Sequence, residues 1–153
     1  MINSKTLLVI SLLAIPAISY ASLGDDVSSI TTDNNALASS VSLVTTHANI
    51  SSTASYQTSI IKTPDNFIIK EFSANGKVFA VSWQGKSYPN FKQLFGSYFP
   101  QLKTATASNN GLNISKLTGN DFISYSSGVP GLLSGIAYVP SLVPSNLNIN
   151  TLK

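Results

Sequence analysis

Two carboxylates in the middle of the chain are the residues best suited to acid–base chemistry. Asp65 falls in a turn between Pro64 and Asn66, and Glu71 follows on a segment rich in aromatic and β-branched residues. A turn followed by a strand could bring the two side chains together, and paired carboxylates hydrolyse glycosidic bonds. A solvated turn residue and a charge at a strand edge explain the same pattern. A small glycan hydrolase using Asp65 and Glu71 therefore remains an alternative function.

Other catalytic patterns lack a residue that they require. His47 is the single histidine, it lies in a Ser/Thr-rich segment, and the chain has no Gly-x-Ser-x-Gly motif, so a serine-hydrolase triad is not predicted. One histidine without cysteine does not supply a zinc site. The glycines of residues 128–131 lack the Gly-Lys-Ser/Thr ending of a phosphate-binding loop. The sequence predicts no catalytic residue, no metal, no cofactor and no enzyme.

A short group of aromatic and basic residues is the remaining candidate site. Trp83, Lys86 and Tyr88 lie where a predicted strand leaves its sheet. Loops at strand ends often carry binding residues, and Trp and Tyr are frequent anchors of interfaces. Trp83 as a core residue and Tyr88 as loop packing is the simpler structural explanation. We predict this corner as a partner-binding surface, for an envelope protein or a polysaccharide.

The N-terminal residues have the three-part pattern of a secretory signal peptide. Lys5 supplies a positive charge, an apolar run follows over residues 6–18, and small residues precede a predicted cleavage between Ala21 and Ser22. A buried N-terminal helix is the alternative. The run is shorter than the ~20 apolar residues that span a bilayer. We predict a signal peptide over residues 1–21 and a mature domain over residues 22–153, in the periplasm or secreted.

Composition excludes several classes of partner. The nine basic residues are all lysines, they are dispersed along the chain, and the formal net charge is +3. Nucleic-acid binding needs a clustered basic surface, so no nucleic-acid partner is predicted. No second apolar segment is long enough to span a membrane. The absence of cysteine excludes disulfides and a lipoprotein anchor, which for an exported domain is more typical of a bacterial envelope protein than of a small eukaryotic secreted module.

The elements that must position these residues indicate an α+β domain. Apolar residues at helical spacing predict a weak amphipathic helix over residues 27–47, within a Ser/Thr-rich segment over residues 22–55 that is helical or partly disordered. A three-stranded antiparallel meander follows over residues 56–84. Its second turn is Asn75-Gly76, a strong hairpin signal because both residues accept positive φ.

The last predicted strand of the meander alternates, with Phe79, Val81 and Trp83 on one face. An apolar stripe that begins at Phe91 predicts a helix packed on that face. A polar loop over residues 105–113 and two short strands, over 121–126 and 132–139, complete the chain. The predicted fold is therefore an N-terminal helix, a three-stranded meander, a helix packed on the sheet and a C-terminal strand pair.

Four segments together resemble a known family. They are the Ala-Ser-Leu-Gly of residues 21–24, the Asn-Gly-Lys-Val-Phe-Ala-Val-Ser-Trp-Gln-Gly of residues 75–85, the Pro-Asn-Phe-Lys-Gln-Leu-Phe-Gly-Ser-Tyr-Phe of residues 89–99, and the Gly-Ile-Ala-Tyr-Val-Pro-Ser-Leu-Val-Pro of residues 135–144. In this order they resemble the exported bacterial proteins of the domain of unknown function 2844. The resemblance implies a Gram-negative envelope or secreted protein, and it implies no activity and no catalytic residue.

These observations combine into one functional expectation. We predict an exported, non-enzymatic envelope protein that binds a partner or acts as an accessory module. The glycan hydrolase and a secreted inhibitor or effector are the alternatives.

Overall fold

A single antiparallel sheet of eight strands dominates the computed structural model, which describes residues 23–30, 40–47, 55–63, 66–109 and 114–152. The strands are β1 (Ser40–His47), β2 (Tyr56–Lys62), β3 (Ile68–Ala74), β4 (Lys77–Gly85), β5 (Thr106–Asn109), β6 (Ile114–Thr118), β7 (Ile123–Val129) and β8 (Leu132–Tyr138). Their order is β1-β2-β3-β4-β8-β7-β6-β5. Two four-stranded meanders are therefore joined by the pairing of β4 with β8.

The predicted α+β arrangement is wrong. The segment predicted as an N-terminal helix contains a short 3-10 turn, Val27–Ser29, and then strand β1, while residues 31–39 lie outside the described ranges. Ser, Thr and Val dominate β1, and all three are poor helix formers, whereas Val and Thr suit a strand. Pairing with β2 supplies the backbone hydrogen bonds that a helix would have made internally.

The predicted C-terminal strand pair is half of a larger unit. Strand β5 occupies part of the predicted polar loop, and β6 was not predicted at all. In β6 the apolar residues are Ile114 and Leu117, which do not alternate with polar ones, so its sequence gives a weak strand signal. The segments predicted as a three-stranded meander are β2, β3 and β4, but they lie inside the eight-stranded sheet. The hairpin turn between β3 and β4 has positive φ at Asn75 (52°) and Gly76 (75°).

Two short helices follow β4 and cover one face of the sheet. Helix α1 (Phe91–Phe95) begins at Asn90, whose side chain accepts a hydrogen bond from the backbone N–H of Gln93 at 3.4 Å. It ends at Gly96, which has a φ of 47°. A 3-10 turn then leads into α2 (Phe99–Thr104), with Pro100 in its first turn, where proline is favoured. No helix within the described ranges is long and apolar enough to cross a membrane.

The sheet has two apolar faces with separate cores. The helix face carries Ile69, Val81 and Trp83 and packs against α1 and the N-terminal residues 23–30. The opposite face is covered in part by residues 140–152, and we call these two features the tail face and the tail. The tail-face core contains Phe72, Phe79, Ala80 and Leu152 of the tail, with further partly buried residues around them.

A β-bulge in β4 corrects the predicted face of Phe79. Phe72 pairs with Ala80, but the next residue, Ser73, pairs with Val78, so Phe79 is an extra residue. Phe79 and Ala80 therefore both pack in the tail-face core, while Val78 packs on the helix face. The prediction that Phe79 shares a face with Val81 and Trp83 is wrong because simple alternation fails across the bulge.

The N-terminal segment pairs with the start of β4. The backbone N–H of Gly24 donates to Val78 O at 2.8 Å, and the N–H of Val78 donates to Asp25 O at 3.0 Å. Asp26 caps the following 3-10 turn, because its side chain accepts from the N–H of Ser28 at 3.0 Å. That backbone hydrogen bond is the main reason that the pKa of Asp26 is lowered.

Candidate functional site

The predicted binding corner is divided between interior and surface. Trp83 is 2% exposed, and its ring packs against those of Phe91 and Phe95, with centroids 5.2 Å and 5.8 Å away. Lys86 is exposed, and Tyr88 is 56% exposed with its ring 5.7 Å from that of Phe91. Trp83 is therefore a core residue, whereas Lys86 and Tyr88 are accessible. Partner binding at this corner stays a prediction.

A glycine on β8 makes room for the indole of Trp83. A Cβ atom on Gly135 would lie 2.2 Å from Cζ2 of Trp83 and 2.6 Å from the backbone oxygen of Tyr125. Real Cβ atoms do not approach other atoms so closely. The backbone oxygen of Tyr125 is fixed by the strand and cannot move aside as the end of a flexible side chain could. With the indole of Trp83 in this position, residue 135 of β8 must therefore be a glycine.

Adding a methyl group at Gly135 should destabilise the fold. We expect Gly135→Ala to lower the free energy of unfolding by about 1–3 kcal/mol, as overpacking of a core does. Urea denaturation followed by tryptophan fluorescence measures the change. Ser134→Ala, at the neighbouring position on the other face, is the matched control and should cost less. Equal stability of Gly135→Ala and the wild type would contradict the observed packing.

One of the two carboxylates of the predicted hydrolase lies within the described residues, and it is buried. Glu71 is 1% exposed and lies on the helix face, paired with Val81 on one side and Ser59 on the other. A polysaccharide has no access to a carboxyl group at that depth. Asp65 lies outside the described residues, as do Ala21 and Ser22 of the predicted cleavage site.

A groove on the tail face is a feature that the sequence did not indicate. The groove has a volume of about 420 Å³ and lies beside the tail, with Leu152 in its lining. Pockets that hold small molecules commonly have volumes of about 300–1,000 Å³. The groove is therefore large enough for a small ligand.

Strand register arranges most of the groove lining in two rows that cross the sheet. The first row is Lys70, Ser82, Ile136 and Tyr125, and the second is Ile68, Gln84, Ser134, Ser127 and Ile114. In each row every residue is paired with the next one on the neighbouring strand, so all of these side chains project from the same face. Leu132 and Leu152 add further apolar surface.

The family of the chain follows from its sequence as a whole. Residues 19–152 match the family described as Protein of unknown function (DUF2844). The chain belongs to the DUF2844 family. This confirms the resemblance found in the sequence. No curated protein and no solved structure matches the chain.

Two of the segments that resemble DUF2844 meet in the fold. Trp83 comes from the segment of residues 75–85, and Gly135 opens the segment of residues 135–144. Their contact forms part of the β4–β8 pairing that joins the two meanders. Packing therefore explains why a tryptophan and a glycine occur at these two positions of this DUF2844 protein.

The groove of this DUF2844 protein exposes more apolar than polar surface, although seven of its fourteen described lining residues have polar side chains. The hydroxyl oxygens of Ser127 and Ser134 are 3.2 Å apart. Tyr125 lies beside Tyr138, whose pKa is raised by burial and then by its charge interaction and hydrogen bond with Tyr125. The Nζ atom of Lys116 lies 5.4 Å from the centre of the Tyr125 ring. A mainly apolar wall with a few fixed polar groups is the usual composition of a small-molecule site.

The sequence does not indicate the groove because none of its lining residues belongs to a catalytic or ligand-binding motif. Lys70, Tyr125 and Ser134 are ordinary residues of strands, and they become neighbours through the pairing of β4 with β8. That pairing joins strands far apart in the chain. The alternation of side chains along β8 predicts which residues share a face of that strand. It does not predict which strand lies beside β8.

Proposed function

We propose that this DUF2844 protein is exported by a Gram-negative bacterium and acts there by binding, without catalysing a reaction. We further propose that its ligand occupies the groove of the tail face. The observation that carries this proposal is the groove itself, an apolar cavity of about 420 Å³ lined by five strands and by the tail. Such a cavity at the surface of a well-packed sheet is the default candidate for a binding site.

Export is supported by the order of features at the N-terminus. A charged start, an apolar run and small residues before Ser22 follow one another as in a signal peptide. The family match begins at residue 19, so nearly all of the segment predicted to be removed lies outside it.

Binding is favoured over catalysis by the chemistry of the groove. Among its lining residues the ionisable side chains are Lys70 and Tyr125, and no carboxylate or histidine accompanies them. General acid–base catalysis requires a donor and an acceptor of protons placed around the substrate. The one described acid near the centre of the sheet, Glu71, is on the other face.

Processing and location test the export part of the proposal. We expect the full-length chain, produced in a Gram-negative host, to yield a periplasmic or secreted product with the mass of residues 22–153. Ala21→Arg, at the last position before cleavage, should block processing, and Ser22→Ala is the control that should leave it intact. A product that keeps residues 1–21 and remains in the cytoplasm would contradict export.

A neutral fluorescent probe tests the groove. Nile red should bind the folded mature protein with increased emission, and Ser127→Trp should weaken binding by about tenfold or more because an indole fills the space. Ser145→Trp introduces the same side chain on an exposed part of the tail and should leave binding unchanged. Loss of Nile red binding in Tyr88→Ala, with Ser127→Trp unaffected, would place the site at the predicted corner instead.

A further inference from the structure

We infer that the β7–β8 hairpin inserts its tip, residues 129–132, into the surface of a lipid bilayer. The tip has the sequence Val-Pro-Gly-Leu, and all four residues are exposed. This inference goes beyond the proposed function, because the tip is a surface contact and does not depend on a ligand in the groove. Exposure, protrusion, neutrality and the small size of the tip each support it.

The first support is the place at which the structure exposes apolar side chains. The described residues expose four large hydrophobic side chains: Tyr88 (56%), Ile114 (45%), Val129 (51%) and Leu132 (50%). Val129 pairs with Leu132 at the hairpin tip, and β6 begins at Ile114 on the side of β7. β4 ends at the same end of the sheet, since Gly85 pairs with Leu133, and Tyr88 follows that end. Apolar exposure concentrated at one end of a sheet marks an interaction surface.

The second support is that the tip projects beyond the strands on both sides of it. On the β4 side the last paired residue is Leu133, so Leu132 extends past the paired part of that strand. On the β6 side the last partner within the described residues is Ser127, so Val129 lies two residues beyond it. At about 3.4 Å per residue, the tip extends roughly 3 Å past one neighbour and 7 Å past the other. Proteins that bind membrane surfaces bury apolar contacts about 5–10 Å into the boundary between headgroups and acyl chains.

The third support is the lack of charge in this part of the chain. Residues 122–152 contain no Asp, Glu, Lys, Arg or His. The hairpin therefore has no ionised side chain that would lose its hydration on entering lipid. Pro130 has no backbone N–H group, so the turn presents one donor fewer to a medium that supplies no hydrogen bonds.

The residues beside the tip are of types found at membrane interfaces. Lys86 and Tyr88 follow the end of β4, and both are exposed. Tyrosine is enriched where lipid headgroups meet water. The stem of a lysine can lie along an apolar surface while its ammonium group remains in water. In the bound protein, the two exposed residues of the predicted corner contact the headgroups around the inserted tip.

A protein partner fits the tip less well. Stable protein interfaces bury about 800 Å² on each side and involve roughly 20–30 residues of each partner. The tip offers four residues, with two half-exposed aliphatic side chains, Val129 and Leu132. A second copy of this chain is subject to the same limit. Entry into lipid requires no matched surface, because the hydrophobic gain depends on the apolar area removed from water.

Vesicle flotation tests the inference with a charge placed on the tip. The mature protein is mixed with vesicles of phosphatidylcholine, with and without phosphatidylglycerol, and we expect it to float with both. Val129→Asp should lower the partition coefficient about tenfold or more, because a carboxylate must then enter the lipid. Val129→Ile keeps an apolar, β-branched side chain and should retain binding. Asn75→Asp adds the same charge to the β3–β4 turn, at the opposite end of the sheet, and should leave binding unchanged.

A fluorescent label reports the position of the tip while Val129 and Leu132 stay in place. The chain contains no cysteine, so Pro130→Cys provides a single attachment site for the polarity-sensitive label NBD. We expect its emission to increase and to shift to shorter wavelength when vesicles are added. Thr118→Cys carries the same label at the exposed far end of β6 and should not respond. This measurement decides the question even where Val129→Asp fails to fold.

The outcomes separate insertion from other modes of binding. No flotation of the wild type would overturn the inference. Binding that requires phosphatidylglycerol and is lost at high salt, with no response of the label at residue 130, would also overturn it, because the contact would then be electrostatic. Self-association in analytical ultracentrifugation without lipid binding, abolished by Val129→Asp, would assign the tip to a contact between copies and overturn insertion. Nile red binding is measured without vesicles, so failure of the groove proposal changes none of these results.

Discussion

Phe79→Ala should lower the free energy of unfolding by about 3–5 kcal/mol, one of the largest effects expected of a single substitution in this chain. Phe79 is completely buried. Its ring centre lies 6.2 Å from that of Tyr56 and 6.4 Å from that of Phe72. Truncation removes these contacts and leaves a cavity between the sheet and the tail. Urea or guanidinium denaturation, with the slope held common to both proteins, measures the loss.

A double-mutant cycle identifies the face on which Phe79 packs. With Phe72→Ala, its neighbour in the tail-face core, we expect a coupling energy of about 0.5–3 kcal/mol. With Leu94→Ala, which lies in the helix-face core, the two losses should add within about 0.5 kcal/mol. Coupling to Leu94 and additivity with Phe72 would place Phe79 on the helix face and refute the bulge.

The bulge shows where a strand pattern stops being informative. Residues Val78, Phe79 and Ala80 are all apolar, so the sequence is equally compatible with an unbroken alternation and with one extra residue. At this part of β4, helices cover one face and the tail covers the other, so apolar residues occur on both faces. The sequence therefore has no polar position there that would reveal the extra residue of the bulge. A register choice of this kind is made by the partner strands.

Strands rich in small polar residues are difficult to predict for a related reason. β1 is rich in Ser and Thr, and β5 is formed by Thr106, Ala107, Ser108 and Asn109. Each of these strands is held by backbone hydrogen bonds to the strand beside it, a partner that its own sequence does not reveal. By contrast, the β3–β4 hairpin was predictable because Asn75-Gly76 fixes its turn locally.

Family membership can be predicted from the sequence alone, whereas the groove cannot. Family membership depends on runs of consecutive residues, which are visible without a fold. The groove depends on the order of strands, because Lys70 and Tyr125 are brought to one face only when β8 lies between β4 and β7. At the predicted binding corner, Trp83 is not available at the surface, because it packs in the core between β4 and α1.

The tail connects the stability of the fold to the shape of the groove. It begins with the 3-10 turn Pro140–Leu142, in which the backbone N–H of Ser141 donates a hydrogen bond to the carboxylate of Asp121 at 3.1 Å. It ends with a second turn, Ile149–Thr151, capped by the side chain of Asn148. The contact with Asp121 attaches the start of the tail to the β6–β7 connection, and the capped turn leads directly into Leu152, which is 2% exposed.

Leu152→Ala should therefore affect stability and binding together. We expect a loss of about 2–5 kcal/mol in the free energy of unfolding, typical of a buried leucine reduced to alanine. Because Leu152 also lines the groove, Nile red should bind more weakly to the variant that remains folded. Leu152→Met preserves most of the volume and should cost less than about 1.5 kcal/mol. Ser145→Ala, at an exposed position of the same tail, should change neither property.

The two readouts carry different information about the tail. A loss of stability with unchanged probe binding would mean that the tail only completes the core, and that the groove is formed by the strands alone. A loss of binding with stability within about 0.5 kcal/mol of the wild type would contradict the burial of Leu152. Loss of both is the result expected of a residue that belongs to the core on one side and to the binding surface on the other. In that case a ligand that packs on Leu152 should also raise the unfolding midpoint of the wild type, because it binds only the folded state.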